Sequence, residues 1–381
     1  MNYLMVDLYK DFQCSADACP NTCCAGWRII VDEDAYQKMV DHQKELGTPA
    51  ADWIEKEEDG LYTVKLAGEQ RCPMLTEKNL CRVVLNLGPD YQCITCMEYP
   101  RILRTFGSVL EGSLSMSCPE VIARLMDKTG VQFDLVSDDN PGKPFEHMTL
   151  YRFAGAVRSG MVDIIQHTAD IFLVTRLFAA YDILCRAVEF YEKKEMDASF
   201  LQAQLDQYLR EEVLYSLDGY LQKGIDGRDQ YRFVKDILPV IDGESGRWRQ
   251  LILLTIEYFE RAGVERYEKD MERFKEHLAV YKTFYINYWI YRIFQDVMEI
   301  PEYGKSKERF IYSTAQFCLI QSIAFVVFAR NGFLDREDYI FIISSVSRMM
   351  EHNTTVRKDL VAKLNEFHAL SPAGLLMMII A

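Results

Sequence analysis

Nine of the eleven cysteines in this 381-residue chain fall within its first 118 residues: Cys14, Cys19, Cys23, Cys24, Cys72, Cys81, Cys93, Cys96 and Cys118. The remainder of the chain holds only Cys185 and Cys318. Thiols concentrated at one end constrain a fold more than its hydrophobic pattern does, because each must be bridged, metallated or buried. The opening Met1-Asn-Tyr-Leu-Met-Val-Asp7 lacks the basic and apolar regions of a secretory signal, which predicts a cytoplasmic chain. A disulfide scaffold does not persist in a reducing compartment, so the cysteines read as metal ligands.

Their spacing forms groups. Cys14-x4-Cys19-x3-Cys23-Cys24 brings four thiols into a dozen residues, with Pro20, Asn21 and Gly26 supplying turns. Cys72-Pro-Met-Leu-x5-Cys81 and Cys93-x2-Cys96 follow, and Cys118 stands in Ser117-Cys-Pro-Glu120. A CxxC step places two sulfurs on one face of a turn, which suits zinc or an iron–sulfur cluster. His42 is the one histidine of this region, so mixed Cys/His zinc sites are not indicated. The adjacent pair Cys23-Cys24 suits a polynuclear cluster or two separate sites better than a single tetrahedral zinc. Chemistry alone leaves iron–sulfur and zinc level. Cys185 and Cys318 lie on apolar helical faces and read as small core residues, a reading also open to Cys118.

The net charge is −14, and residues 1–125 carry 12 Lys and Arg against 19 Asp and Glu. An acidic surface repels phosphates, so nucleic-acid binding is disfavoured. No stretch reads as a membrane span: Phe317 to Ala329 is too short and holds Gln321 and Ser322, and Leu375 to Ala381 reads as a packed tail. Asp32 is placed to cap a helix through Tyr36, Met39 and Val40, Leu61 to Leu66 alternates like a strand, Cys72 and Cys81 flank a tight loop, and Thr105 to Met116 reads as a hairpin. Beyond a loop at Ser137 to Pro144 the pattern turns helical. Apolar residues recur at three- and four-residue steps over Ile164–Tyr191, Phe200–Leu221, Trp248–Ala262, Tyr267–Met298, Phe310–Ala329 and Glu337–Glu351. Breaks are expected at 224–227, 242–246, Pro301 and Asn331-Gly332. The expectation is a mainly α protein: a small cysteine-rich metal-cluster domain with a short β-hairpin over 1–125, then a larger helical domain over 145–381.

The run Asp11-Phe-Gln-Cys14-x4-Cys19-Pro-Asn-Thr-Cys23-Cys24-Ala-Gly-Trp27 resembles the opening of the flagellin lysine-N-methylase family. Cys72-Pro-Met-Leu75, Leu80-Cys81-Arg82, Cys96-x2-Tyr99-Pro100-Arg101 and Ser117-Cys118-Pro-Glu120 continue the likeness through residues 9–120. The earlier blocks also resemble the broader CxxxCC zinc- or iron-chelating domains. The resemblance implies a cytoplasmic enzyme that methylates flagellin lysines, with S-adenosylmethionine as donor and a [4Fe–4S] cluster on these cysteines. Cys19, Cys23, Cys24, Cys72, Cys81 and Cys96 match best, followed by Cys14, Cys93 and Cys118.

Neither a GxGxxG after a strand nor the CxxxCxxC of standard radical S-adenosylmethionine enzymes is present. The expectation is therefore a nonstandard, cluster-assisted methyl transfer in which an open iron binds the amino and carboxylate groups of the cofactor. Glu98 or Glu120 would take the lysine proton, and Arg101 would meet the cofactor carboxylate; the stronger reading is of two ordinary surface or supporting acids and a salt-bridging arginine. Zinc is the alternative metal. A non-catalytic zinc- or iron-binding module and a redox module are the competing functions.

Overall fold

The computed structural model describes residues 2–137, 144–167, 170–196, 198–224, 227–241, 246–367 and the single positions 374 and 378. The predicted boundary loop, the breaks at 224–227 and 242–246, and the tail from Leu375 fall largely outside them. Among the described residues the strands are β1 (Asn2–Val6), β2 (Ile30–Val31), β3 (Ile54–Lys56), β4 (Tyr62–Val64), β5 (Arg101–Phe106), β6 (Val109–Leu114) and β7 (Phe133–Ser137). All lie in the N-terminal third, and the rest is helical.

One sheet has the order β5-β6-β1-β7. The β5–β6 pair is the predicted hairpin, begun four residues earlier at Arg101. Strand β1 joins β6 in parallel, Asn2 opposite Val109 through Met5 opposite Gly112, and β7 closes the other side antiparallel. Gly112 permits this approach, since a Cβ there would fall 2.0 Å from the Met5 sulfur. Neither β1 nor β7 was legible beforehand. Tyr3-Leu-Met-Val6 is an unbroken apolar run, and β7 exposes Leu135 and Val136, so neither shows the alternation that marks a half-buried strand.

The second sheet, β2-β4-β3, packs with the helix Glu33–Asp41. Asp32 caps that helix as expected, accepting from Ala35 N at 2.9 Å. Their apolar side chains, among them Ile29, Met39, Trp53, Ile54 and Val83, form a small core of their own. The first sheet has none. Val6, Leu8, Leu114 and Val121 belong instead to the large core of the helices.

Of the predicted helices, Trp248–Ala262, Phe310–Ala329 and Glu337–Glu351 are each one helix, Gly246–Arg261, Lys305–Asn331 and Arg336–His352, and the other three spans are each broken. Ile164–Tyr191 is two helices, Met148–Gln166 and Leu173–Glu192. The second begins at Phe172, whose N–H is held by the Asp218 carboxylate at 3.3 Å, a stop supplied 46 residues away and silent in the local pattern. Likewise Phe200–Leu221 breaks between Tyr208 and Glu211, and Tyr267–Met298 breaks at the turn Ala279–Tyr281. The helix Lys305–Asn331 has the length and hydropathy to cross a membrane, yet 94% of its apolar window is buried within the protein. It is the central core helix. Lys282–Asp296 and Arg336–His352 pack beside it.

A buried ion pair fastens sheet to helices. Both Glu111 carboxylate oxygens of β6 accept from Arg158 at 2.7 Å, and Tyr151 donates to the same carboxylate at 2.7 Å. Breaking one side of such a pair strands a charge in the core and costs about 3–5 kcal/mol, whereas apolar replacement of both partners is often near neutral. In urea unfolding, Glu111→Gln should therefore lower stability by about 3 kcal/mol or more, and Glu111→Leu with Arg158→Met should recover most of it.

Candidate functional site

The cysteine-bearing loops are laid side by side by backbone pairing. Gly26, at φ +78, turns the first run so that Gly26 N meets Gln70 O at 2.9 Å and Cys24 O accepts from Cys72 N at 2.7 Å. The expected tight loop follows, with Leu75 bridged to Cys81 and Arg82 N on Met74 O at 2.8 Å. Cys93 precedes the short helix Ile94–Glu98, and Cys96 lies within it. That turn is pinned by Asp32, which accepts from Ile94 N at 2.8 Å, and by Thr95 Oγ1 on Ile30 O at 2.8 Å. Cys118 precedes the helix Pro119–Asp127.

All eleven cysteines are unbridged. The nine N-terminal thiols fall into two neighbourhoods that meet at Cys23-Cys24. Cys72 lies within electrostatic reach of Cys24, Cys81 and Cys93, and Cys96 of Cys93, Cys24 and Cys23. This group borders the small core, which includes Cys93. Cys118, part of the large core, lies within reach of Cys19 and Cys14, and Cys14 reaches Cys23. Cys318 is fully buried, and Cys185 sits against Tyr181 on its own helix; neither joins the others.

Hydrogen bonds from neighbouring thiols lower two of the cysteines. The hydrogen bond from Cys23, and secondarily that from Thr22, brings Cys24 down to about 6, and Cys96 likewise lowers Cys93. Burial instead pushes Cys72 and Cys118 up to about 12 and raises Cys81 and Cys19. Among the described residues no three His, Cys, Asp or Glu side chains converge closely enough to hold a metal ion. The donor chemistry nonetheless fits an all-thiolate centre: Cys24, Cys72, Cys81, Cys93 and Cys96 are partly or fully buried and lie within electrostatic reach of one another, and a metal would take them as thiolates.

One residue of the helical region clamps the first cysteine loop. Arg348, buried in the helix Arg336–His352, donates to Asn21 O at 2.8 Å, Asn21 Oδ1 at 3.1 Å, Thr22 O at 3.0 Å and Ala25 O at 3.2 Å. The Asn21 amide in turn donates to Ser344 and Ser345 at 3.1 and 3.0 Å.

Beside this junction opens a cleft of about 430 Å³ whose walls come from both regions, including Trp27, Glu98, Tyr99, Arg101 and Ser115 on one side and Arg292, Asp296, Tyr312, Glu351 and His352 on the other. A continuous polar chain lines it. Tyr99 OH meets Ser117 Oγ at 3.0 Å, and Ser117 meets His352 Nε2 at 2.9 Å and Ser115 Oγ at 2.6 Å. Ser115 donates to Glu351 at 2.7 Å, and Arg292 binds Glu351 at 2.8 Å and Asp296 at 2.9 Å. Trp27 stacks at a tilt on His352 with ring centres 4.6 Å apart, and its indole N–H is bonded to Cys23 O. Burial, aided by Arg348, holds His352 below the ordinary histidine value, against the opposing pull of Glu351.

Of the charged residues singled out by sequence, Glu98 and Arg101 do border this cleft, whereas Glu120 is occupied by Arg124 at 2.7 Å. His352, Arg348 and Arg292 escaped the sequence reading. They lie on amphipathic helices more than 170 residues from the last N-terminal cysteine, and nothing local distinguishes them from structural polar residues.

The matching family model, FliB lysine N-methylase C-terminal domain, covers residues 158–378. The chain belongs to the FliB lysine N-methylase family. It is also 35% identical over 121 residues to a lysine-N-methylase of Salmonella typhimurium, an alignment covering 30% of each chain. The same identity and length relate it to the flagellar biosynthetic protein FliU of Salmonella muenchen, covering 72% of that protein. The chain thus spans about 30% of the length of the curated Salmonella methylases it matches. No solved structure matches it. The family match falls on the helical region, where sequence reading found only texture, and so brings the helical wall of the cleft under the same family as the cysteine motifs.

Two outcomes follow from this geometry. Arg348→Met leaves three carbonyl oxygens without their donor and should cost about 2–4 kcal/mol, read in thermal unfolding, and should lower the metal bound per chain after reconstitution. His352, facing Glu351, Arg348, Tyr99, Trp27 and Ser117, binds its proton less readily folded than unfolded, so stability is retained above about pH 6.5 and falls as pH drops below it. His352→Gln should flatten that fall in melts taken between about pH 5 and 7.

Proposed function

We propose that this protein is a cytoplasmic protein-lysine N-methyltransferase acting on flagellin, with S-adenosylmethionine as methyl donor and a [4Fe–4S] cluster held in the cysteine-rich region. The observation that carries the reading is the family membership of a helical region that shares a cleft with residues flanking the cysteine motifs, Trp27, Glu98, Tyr99 and Arg101 among them. In this division of labour residues 1–125 hold the cluster and residues 145–381 receive the protein substrate.

Cys24, Cys72, Cys81, Cys93 and Cys96 would hold the cluster, four sufficing for one. Cys14, Cys19, Cys23 and Cys118 form a second thiol group for a further site or for stability. The cluster, when bound, supplies iron and an electron reservoir beside the cleft. S-adenosylmethionine, when bound, supplies an electrophilic methyl group: the Nζ–C bond forms as the C–S bond breaks, and the sulfur keeps the electron pair.

Attack needs a lysine amine that has lost its proton. His352 is the best-placed acceptor, since burial keeps it neutral and Ser117 fixes its ring. The Arg124 pairing removes Glu120 from this role. Trp27, Tyr99 and Tyr312 give the cleft aromatic walls that limit water and favour a cation.

Mass spectrometry of flagellin incubated with anaerobically purified protein and S-adenosylmethionine should show added methyl mass on lysine. Iron and sulfide should be present in about equal amounts, with a brown colour. Unmodified flagellin with the cluster intact rejects the methylase reading, and colourless protein with stoichiometric zinc rejects the cluster. Cys24→Ala should lose colour and activity together.

A further inference from the structure

The cleft between the two regions carries a charge pattern unlike the rest of the molecule. The chain is strongly acidic, at −14, yet the cleft is lined by five arginines against three carboxylates. Most of these charges are already satisfied. Arg292 holds both Asp296 and Glu351, Arg309 holds Glu299 at 2.8 Å, and Arg104 donates to Gln295 O. What remains is Arg101, Arg357 and Glu98. Among the described residues Arg101 has only a long contact, 3.4 Å, to Phe12 O, besides lying over the Tyr9 and Phe12 rings. Arg357 lies over Tyr312, its guanidinium 5.6 Å from the ring centre, with no carboxylate on it. Glu98, exposed at the cleft rim, has no ion pair among the described residues.

A second observation points to a ligand. Arg292 is buried, and its Nε carries a proton with no acceptor, which is costly unless a partner arrives. The same cleft is lined by Trp27, Tyr99 and His352, packed at a tilt with ring centres 4.6 to 6.2 Å apart. The cavity, about 430 Å³, lies within the size range of small-ligand sites.

We infer that this cleft is the binding site for S-adenosylmethionine, Arg101 and Arg357 taking its carboxylate, Glu98 its ammonium group, and the Trp27–Tyr99–His352 faces its sulfonium and adenine. This rests on the methyltransferase reading above. The match is one of kind and number: a ligand bearing one anion, two cations and a flat ring meets spare guanidiniums, a spare carboxylate and aromatic faces. It also gives the amino-acid end of the cofactor partners in the protein itself, in place of the open iron expected from the sequence. Arg101, singled out there, keeps its role, and Arg357 joins it from the opposite wall.

The test uses metal-loaded protein and methyl-labelled S-adenosylmethionine in equilibrium dialysis, with quenching of tryptophan emission as a second readout. Wild type should bind one equivalent. Arg357→Gln and Glu98→Gln should each weaken binding at least tenfold while circular dichroism, metal content and melting temperature stay unchanged. Trp27→Phe should remove the quenching. Arg101→Gln is the paired variant, since Arg101 also packs on two rings. Wild-type affinity in both arginine variants overturns the site while flagellin methylation by the same preparation leaves the methylase reading standing. Binding lost in the variants but no methylation of flagellin by wild type upholds the site and rejects that reading. A wild type that neither binds the cofactor nor methylates removes both.

Discussion

One guanidinium holds the first cysteine loop against the helices. Arg348 projects from the helix Arg336–His352 into the first cysteine loop and gathers the carbonyls of Asn21, Thr22 and Ala25. These acceptors carry no net charge, so a buried arginine here is stabilised by oriented dipoles and leaves its positive field available. That field contributes to the lowering of Cys24, after the hydrogen bonds from Cys23 and Thr22. The clamp thus does two things at once. It fixes the backbone that carries Cys23 and Cys24, and it favours the thiolate that a metal requires. Lysine would not serve, since a point charge on a flexible stem cannot fan out to four acceptors.

The same helix sets the cleft. Glu351 and His352 follow Arg348 by three and four residues, hence on the same side of the helix, and both reach the serines before Cys118. One turn therefore holds a loop by its backbone, the next holds a hydroxyl chain, and the space left between them is polar and walled by rings. Arg292 and Asp296, one helical turn apart on Lys282–Asp296, close the far end. Such a network is buried and nearly fully paired, so it holds its shape firmly. The exceptions among the described residues, an Arg292 Nε without an acceptor and the arginines Arg101 and Arg357 without a carboxylate, stand out for that reason.

Much of the N-terminal third could be read in advance because its punctuation is local. Asp32 caps, Gly26 and Gly107 turn, and the cysteine spacings name their own chemistry. The strands β1 and β7 could not, since β1 is buried in the middle of a sheet and β7 shows its apolar side chains to solvent, which erases the period of two. In the helical region the pattern gave the type of element but not its ends. Phe172 begins a helix because Asp218, on another helix, takes its N–H, and no window around Phe172 contains that fact. The cleft was half legible for the same reason. Glu98, Tyr99 and Arg101 sit among cysteine motifs that draw attention to them, whereas Arg348, His352 and Arg357 look like the ordinary polar residues of amphipathic helices.

The two cores explain why the site must lie where it does. The small core is built from residues 29–96 and borders one group of thiols, while Cys118 belongs to the large core with the helices. Cys23 and Cys24 sit on the seam. A loop on a seam has no core of its own to hold it, so its position depends on polar contacts from both sides, and Arg348 with Asn21 supplies them. Any change that parts the cores moves the Cys23-Cys24 pair, the indole of Trp27 bonded to Cys23 O, and the His352 ring stacked on it. The thiols and the cleft are thereby one mechanical unit, and neither the cysteine-rich segment nor the helices alone can contain the site.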